Sequence, residues 1–243
     1  MAEEYSFPPF GEEVKKLVDL FGGEKMETYK GMDVTPLWDL TGGPILWSYK
    51  YMFKAPKIEK IVIAEQSFSD KLMSYMCIIW PEDEYALPVY STFWAESAKG
   101  SYFLVDLYPT ADCICDIEYM EKYLDPLEDL HAKGRKKFSE ISSRDPNWFL
   151  AMASPYYITA DFHPSTADTQ KALLGLSCDY LKVYHQLWEK DEPIDPQKTQ
   201  YKERLKERKE AIRYNLREKD PGGFMIEQAV GKEIADLSLS ALF

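Results

Sequence analysis

The sequence lacks the short motifs that mark common catalytic and cofactor-binding sites. It contains no GxGxxG or P-loop pattern for nucleotide phosphates, no GxSxG nucleophile motif and no HExxH metal motif. The four cysteines form no CxxC pair and the three histidines are far apart, so neither a zinc site nor a self-contained iron–sulfur cluster is indicated. We expect reduced thiols that pack as small apolar groups.

Basic charge and long apolar runs are also scarce. The 29 Lys and Arg residues are outnumbered by 41 Asp and Glu, which gives a net charge of −12 and argues against a nucleic-acid partner. No apolar run reaches the roughly 20 residues that a membrane helix needs, and the longest candidate, 76–80, is the size of a strand. The N-terminus is acidic and has no secretory pattern, so we expect no membrane partner and a protein that stays inside its compartment.

Hydrophobic patterning predicts one α/β domain over residues 1–243. Five runs rich in Ile, Val, Tyr, Phe and Trp are separated by turns too short for crossover helices, which favours an antiparallel meander: 45–53, 59–66, 71–80, 87–95 and 101–108. Helices are expected at 11–21, 117–123, 126–142, from 165 or 166 onward, at 198–219 and at 223–242. Strands followed by helices indicate one sheet with helices on its faces.

Two compositional features point toward a ligand, and each has a plainer interpretation. Six Trp, 17 Tyr and 12 Phe suit a pocket for a flat conjugated molecule, although aromatic side chains also fill cores. The segment 198–219 carries nine bases and four acids. It is either a solvated helix with paired charges or a positive face on which Arg213 and Arg217 bind ligand carboxylates or an acidic protein.

Several segments, in order, carry a family resemblance. Residues 86–94, which lead through Lys99-Gly100 into 103–109, resemble the paired central strands of the ferredoxin-dependent bilin reductases and of their relative, red chlorophyll catabolite reductase. Residues 116–124, 153–156, 220–221 with 224–225, and 241–243 are similar to further family segments.

The resemblance implies a three-layer α/β/α sandwich with a central antiparallel sheet flanked by helices. It implies that a linear tetrapyrrole, such as biliverdin or red chlorophyll catabolite, binds between the sheet and the C-terminal helices. Members bind no metal or flavin and take single electrons from ferredoxin. We expect this protein in the cytoplasm, or in the stroma of a plastid in a host that has one. The missing cofactor motifs agree with this external source of electrons.

The resemblance also assigns site residues. Asp220 matches the aspartate of the family's C-terminal loop and is the expected proton donor, although an Asp before Pro also suits a turn. Asp106 matches an acidic position of the family, and is either a buried hydrogen-bonding group or a pocket residue.

Two positions depart from the family pattern. Phe93 stands where bilin reductases have aspartate and red chlorophyll catabolite reductase has glutamate, and Met76 stands where bilin reductases have histidine or asparagine. Neither side chain can donate a proton, so both are expected as substrate-binding surface. Glu96 should point to the opposite face of the strand and cannot substitute.

Three functions therefore remain open. The first is ferredoxin-dependent reduction of a linear tetrapyrrole, and the second is tetrapyrrole binding without catalysis on the same scaffold. The third is an unrelated α/β interaction domain.

Overall fold

The structure is a computed structural model that describes residues 10–43, 45–68, 72–97, 100–138, 145–162, 166–219 and 222–243. Within these residues, no helix is long and apolar enough to cross a membrane.

An eight-stranded antiparallel sheet organises the described chain. Its strands are β1 (Glu24–Lys25), β4 (Leu40–Gly42), β5 (Ile45–Ala55), β6 (Ile58–Phe68), β7 (Leu72–Pro81), β8 (Val89–Ser97), β9 (Gly100–Tyr108) and β10 (Ile158–Phe162). β5 to β9 pair in sequence order, which confirms the expected meander, and β10 adds an edge beside β9. β1 and β4 both pair with β5, while β2 (Thr28–Tyr29) and β3 (Met32–Asp33) form a separate ribbon.

Helices account for most of the remaining described chain. The α-helices are α1 (Phe10–Asp19), α2 (Ile117–Tyr119), α3 (Glu128–Lys137), α4 (Asn147–Leu150), α5 (Ala167–Lys190), α6 (Thr199–Lys219), α7 (Gly222–Val230) and α8 (Lys232–Leu242). A π-helical turn, Met120–Leu124, follows α2, and 3₁₀ turns lie at Thr35–Leu37 and Asp125–Leu127. α5 begins close to the expected position and has a side-chain cap, since the Thr166 hydroxyl accepts the Thr169 amide at 3.2 Å.

The single C-terminal helix expected over 223–242 is wrong. Gly231 separates α7 from α8 and has a φ of 79°, a left-handed value that favours glycine and interrupts a helix.

The two faces of the sheet carry separate cores. One face packs against α1 and α5 through side chains such as Tyr75, Cys77 and Trp94. The other packs against α4, α6 and α8 through Ile78, Trp80 and Phe149. The expected large antiparallel sheet flanked by helices is therefore confirmed.

Candidate active site

One row of side chains crosses the centre of the sheet on the face that packs against α8. Antiparallel register aligns Lys50 on β5, Ala64 on β6, Met76 on β7, Phe93 on β8, Leu104 on β9 and Thr159 on β10. We call these six residues the central row. Directly opposed residues project to the same face, so the row forms one continuous strip.

The middle of the central row is incompletely covered. Met76 and Phe93 are half-buried, although β7 and β8 are interior strands. Their neighbours on the opposite face, Tyr75, Cys77 and Trp94, have no exposed surface. The sheet centre is therefore fully buried on one face and partly exposed at Met76 and Phe93 on the other, where it presents an apolar surface to a ligand.

Polar groups lie on the β9 and β10 side of this opening. The Tyr102 ring lies 6.2 Å from the Phe93 ring, and its hydroxyl donates to Asp145 at 3.3 Å. The Thr159 hydroxyl donates to the other carboxylate oxygen of Asp145 at 2.7 Å. The Asp145 carboxylate is thus held over β9 and β10 by Tyr102 and Thr159, and the Tyr102 ring links it to Phe93.

The opposite end of the central row holds a buried amine. Lys50 is only 4% exposed, and its Nζ donates to the Ser238 hydroxyl of α8. Burial lowers the pKa of Lys50 to about 7, because an ammonium ion loses hydration in an apolar environment. Ile234 and Leu237 of α8 are half-buried against the same core as Met76 and Phe93.

Asp106 lies on the same face, one row away from Phe93, opposite Ser91. Its carboxylate accepts the Leu107 amide at 2.8 Å, the Ser154 amide at 2.9 Å and the Ser154 hydroxyl. Burial raises the pKa of Asp106 to about 7, although these hydrogen bonds oppose the shift. The contacts match those of a hydrogen-bonding group that fastens the segment before β10 to the sheet.

Arg213 and Arg217 lie away from the central row, near one end of the sheet. Arg213 stacks on Trp80 at 4.3 Å, and Trp80 is four residues, or about 13 Å, along β7 from Met76. Arg213 also donates to the Phe243 carbonyl at 2.8 Å and pairs with Glu59. Burial alone would raise the pKa of Glu59, but the charge of Arg213 and a hydrogen bond from Tyr29 hold it at about 2.

Both arginines line a groove of about 450 Å³ at that end of the sheet, together with Tyr29, Lys30, Tyr214 and Phe243. Substrate binding by Arg213 or Arg217 stays a prediction, and the structure does not bring either together with Phe93. The same region fastens the C-terminus: Lys60 donates to the Ala241 carbonyl at 2.9 Å, and Trp80 to the Leu242 carbonyl at 2.9 Å.

Two further expectations differ in outcome. Asp220 lies outside the described residues, so its role as a proton donor stays a prediction. Glu96 does point away from the face of Phe93, because it accepts from Gln170 of α5 at 2.8 Å. Among the described residues, no group of three His, Cys, Asp or Glu side chains could hold a metal ion.

Sequence reasoning missed Lys50, Ala64, Tyr102 and Asp145. Lys50 stands between Tyr49 and Tyr51 in β5, and this alternating pattern predicts an exposed lysine unless the register of the sheet is known. Asp145 belongs to no strand, and only the folded chain brings it to Tyr102.

Comparison with known proteins agrees with this fold. No curated protein matches the sequence. The fold resembles that of phytochromobilin synthase from tomato, solved in complex with biliverdin, at a TM-score of 0.79 and 20% identity, with 95% of this chain and 80% of that chain covered. The family model of the ferredoxin-dependent bilin reductases matches residues 19–242. The chain belongs to the ferredoxin-dependent bilin reductase family.

Proposed function

We propose that this protein reduces a linear tetrapyrrole, with biliverdin as the first substrate to test, using electrons from ferredoxin. The observation that carries the proposal is the open middle of the central row, where Met76 and Phe93 are half-buried in the interior of the sheet. An extended conjugated pigment fits such a flat apolar floor. The family match and the biliverdin in the tomato relative support the substrate class.

The reaction needs protons as well as electrons. Each electron that enters the conjugated pigment makes it more basic, so an acid close to the pigment must protonate it at a defined atom. The surrounding apolar side chains keep bulk water away from other atoms. We propose Asp220 as one of the acids and the neighbourhood of Met76 and Phe93 as the binding surface.

The direct test is anaerobic incubation of the protein with biliverdin and reduced ferredoxin. We expect a visible-absorbance shift as conjugation is lost, and none when ferredoxin or the protein is omitted. Binding without any shift, in the presence of reduced ferredoxin, would contradict reduction of this substrate.

Tetrapyrrole binding without catalysis is the second candidate, and one observation favours it. Ala64, Met76 and Phe93 are consecutive in the central row and none can donate a proton. The variant Phe93→Asp separates the two functions. If the wild-type protein only binds biliverdin and Phe93→Asp reduces it, the scaffold has lost a donor and the binding function is correct. If the wild-type protein reduces biliverdin, binding alone is excluded.

A further inference from the structure

Lys50 differs from the other buried lysines. Lys60 donates to main-chain carbonyls at the end of α8, and Lys209 pairs with Asp83 at 2.6 Å. Among the described residues, Lys50 has one hydrogen-bond partner, the hydroxyl of Ser238, and no carboxylate. A buried ammonium group without a counterion is costly, so its presence in a core needs a reason.

The register places Lys50 in the same row as Met76, two strands away. Lys50 is opposite Ala64, and Ala64 is opposite Met76. Adjacent strands lie about 4.8 Å apart, so the Cα atoms of Lys50 and Met76 are about 10 Å apart. The small side chain of Ala64 stands between them, and it leaves more space there than a larger residue would.

We propose that Lys50 is a catalytic residue that donates one of the two protons in tetrapyrrole reduction. This inference rests on the proposed function. Two reduced ferredoxins each lose one electron to the pigment, and the π bond of one C=C is replaced by two C–H bonds. One of the two protons comes from the N–H of the Lys50 ammonium, which becomes a neutral amine and recovers its proton from solvent. The other proton comes from a second donor.

The acidity of the group suits this role. A lysine whose pKa is about 7 exists in both protonation states near neutral pH, which is the condition for an efficient general acid. Among the residues that the structure describes, the titratable groups on neighbouring elements do not pair with Lys50. Asp236 of α8 pairs with Lys232 at 3.0 Å, and Glu65 of β6 aligns with Tyr49 on the opposite face.

The test is a single-turnover reaction of Lys50→Met under anaerobic conditions, with biliverdin prebound and reduced ferredoxin added. Methionine keeps the length and removes the proton. We expect the variant to bind biliverdin within about twofold of wild type in a spectral titration. Product formation should slow by about 100-fold or more, the usual contribution of a general acid. The bilin radical should accumulate, because the electron arrives without the proton.

The matched control is Lys232→Met, an exposed lysine on α8 that should react at the wild-type rate. In wild type, the rate should fall as pH rises through about 7, and Lys50→Met should lose this dependence. Asp106 also has a pKa of about 7, so the pH dependence would remain in Lys50→Met if Asp106 were the titrating group.

Three results would overturn the proposal. A wild-type rate in Lys50→Met would exclude Lys50 as a donor while leaving the proposed function intact. Loss of biliverdin binding in a folded Lys50→Met variant would make the amine an anchor for a ligand carboxylate instead. Failure of the wild-type protein to reduce bound biliverdin would contradict the proposed function for this substrate, and the donor role would fall with it.

Discussion

Replacement of Lys50 by methionine should change how stability depends on pH. The folded-state pKa of Lys50 is lowered from 10.5 to about 7 by burial. Between these values the unfolded chain binds a proton that the folded chain has released, so this group makes the folded state more stable as pH rises. From pH 7 to pH 9 the folded amine goes from about half protonated to nearly neutral, whereas the unfolded amine stays protonated.

The resulting change can be worked out from linkage. A difference of one proton between the folded and unfolded states is worth about 1.4 kcal/mol per pH unit. Because the Lys50 amine of the folded state is still half protonated at pH 7, the wild-type protein gains about 2 kcal/mol of stability between pH 7 and pH 9. Lys50→Met lacks this gain. Its free energy of unfolding relative to wild type should therefore fall by about 2 kcal/mol between pH 7 and pH 9.

Urea denaturation of both proteins at the two pH values measures this difference. The other titrating groups contribute equally to both proteins and cancel in the comparison. The slopes against urea should match, so that midpoints report stability. Lys232→Met should follow wild type at both pH values, because its amine is exposed. A difference between wild type and Lys50→Met that stays constant within about 0.5 kcal/mol would refute a shifted lysine, since an ordinary amine keeps its proton in both states over this range.

Four further substitutions test the described contacts by urea denaturation at pH 7. Asp106→Ala removes the acceptor of three hydrogen bonds and should cost about 3 kcal/mol, and a loss below about 1 kcal/mol would contradict a structural role. Arg213→Met leaves Glu59 without its main countercharge and should cost about 2–3 kcal/mol. Arg217→Met changes an exposed side chain and should cost less than about 0.5 kcal/mol. Equal losses from the two variants would refute a structural role for the pair of Arg213 with Glu59. Thr166→Ala removes the cap of α5 and should cost about 1 kcal/mol, and an unchanged midpoint would show that the cap contributes nothing.

The meander could be predicted because its strands are long and the intervening turns are short. β5 to β9 each have at least nine residues, and their order in the sheet follows the sequence. β10 has five residues and pairs with β9 only after a long helical excursion, so hydrophobic periodicity does not predict it. The break at Gly231 has a sequence signal, a glycine between two helical patterns.

The site was harder to predict because it depends on register. Alternation along each strand shows which residues share a face, but not which residue of the next strand lies opposite. The alignment of Lys50, Ala64, Met76 and Phe93 therefore required the structure. Charge alone predicts a binding role for the arginines, and only the contact of Arg213 with Trp80 and Phe243 reveals its place at the end of the sheet.

The most direct measurement of the central claim is a structure of this protein bound to biliverdin. The account predicts that the pigment lies flat on Met76 and Phe93, with the amine of Lys50 within hydrogen-bond distance of one of its pyrrole rings. Biliverdin bound only in the groove of Arg213 and Arg217, with Met76 and Phe93 uncovered, would contradict it.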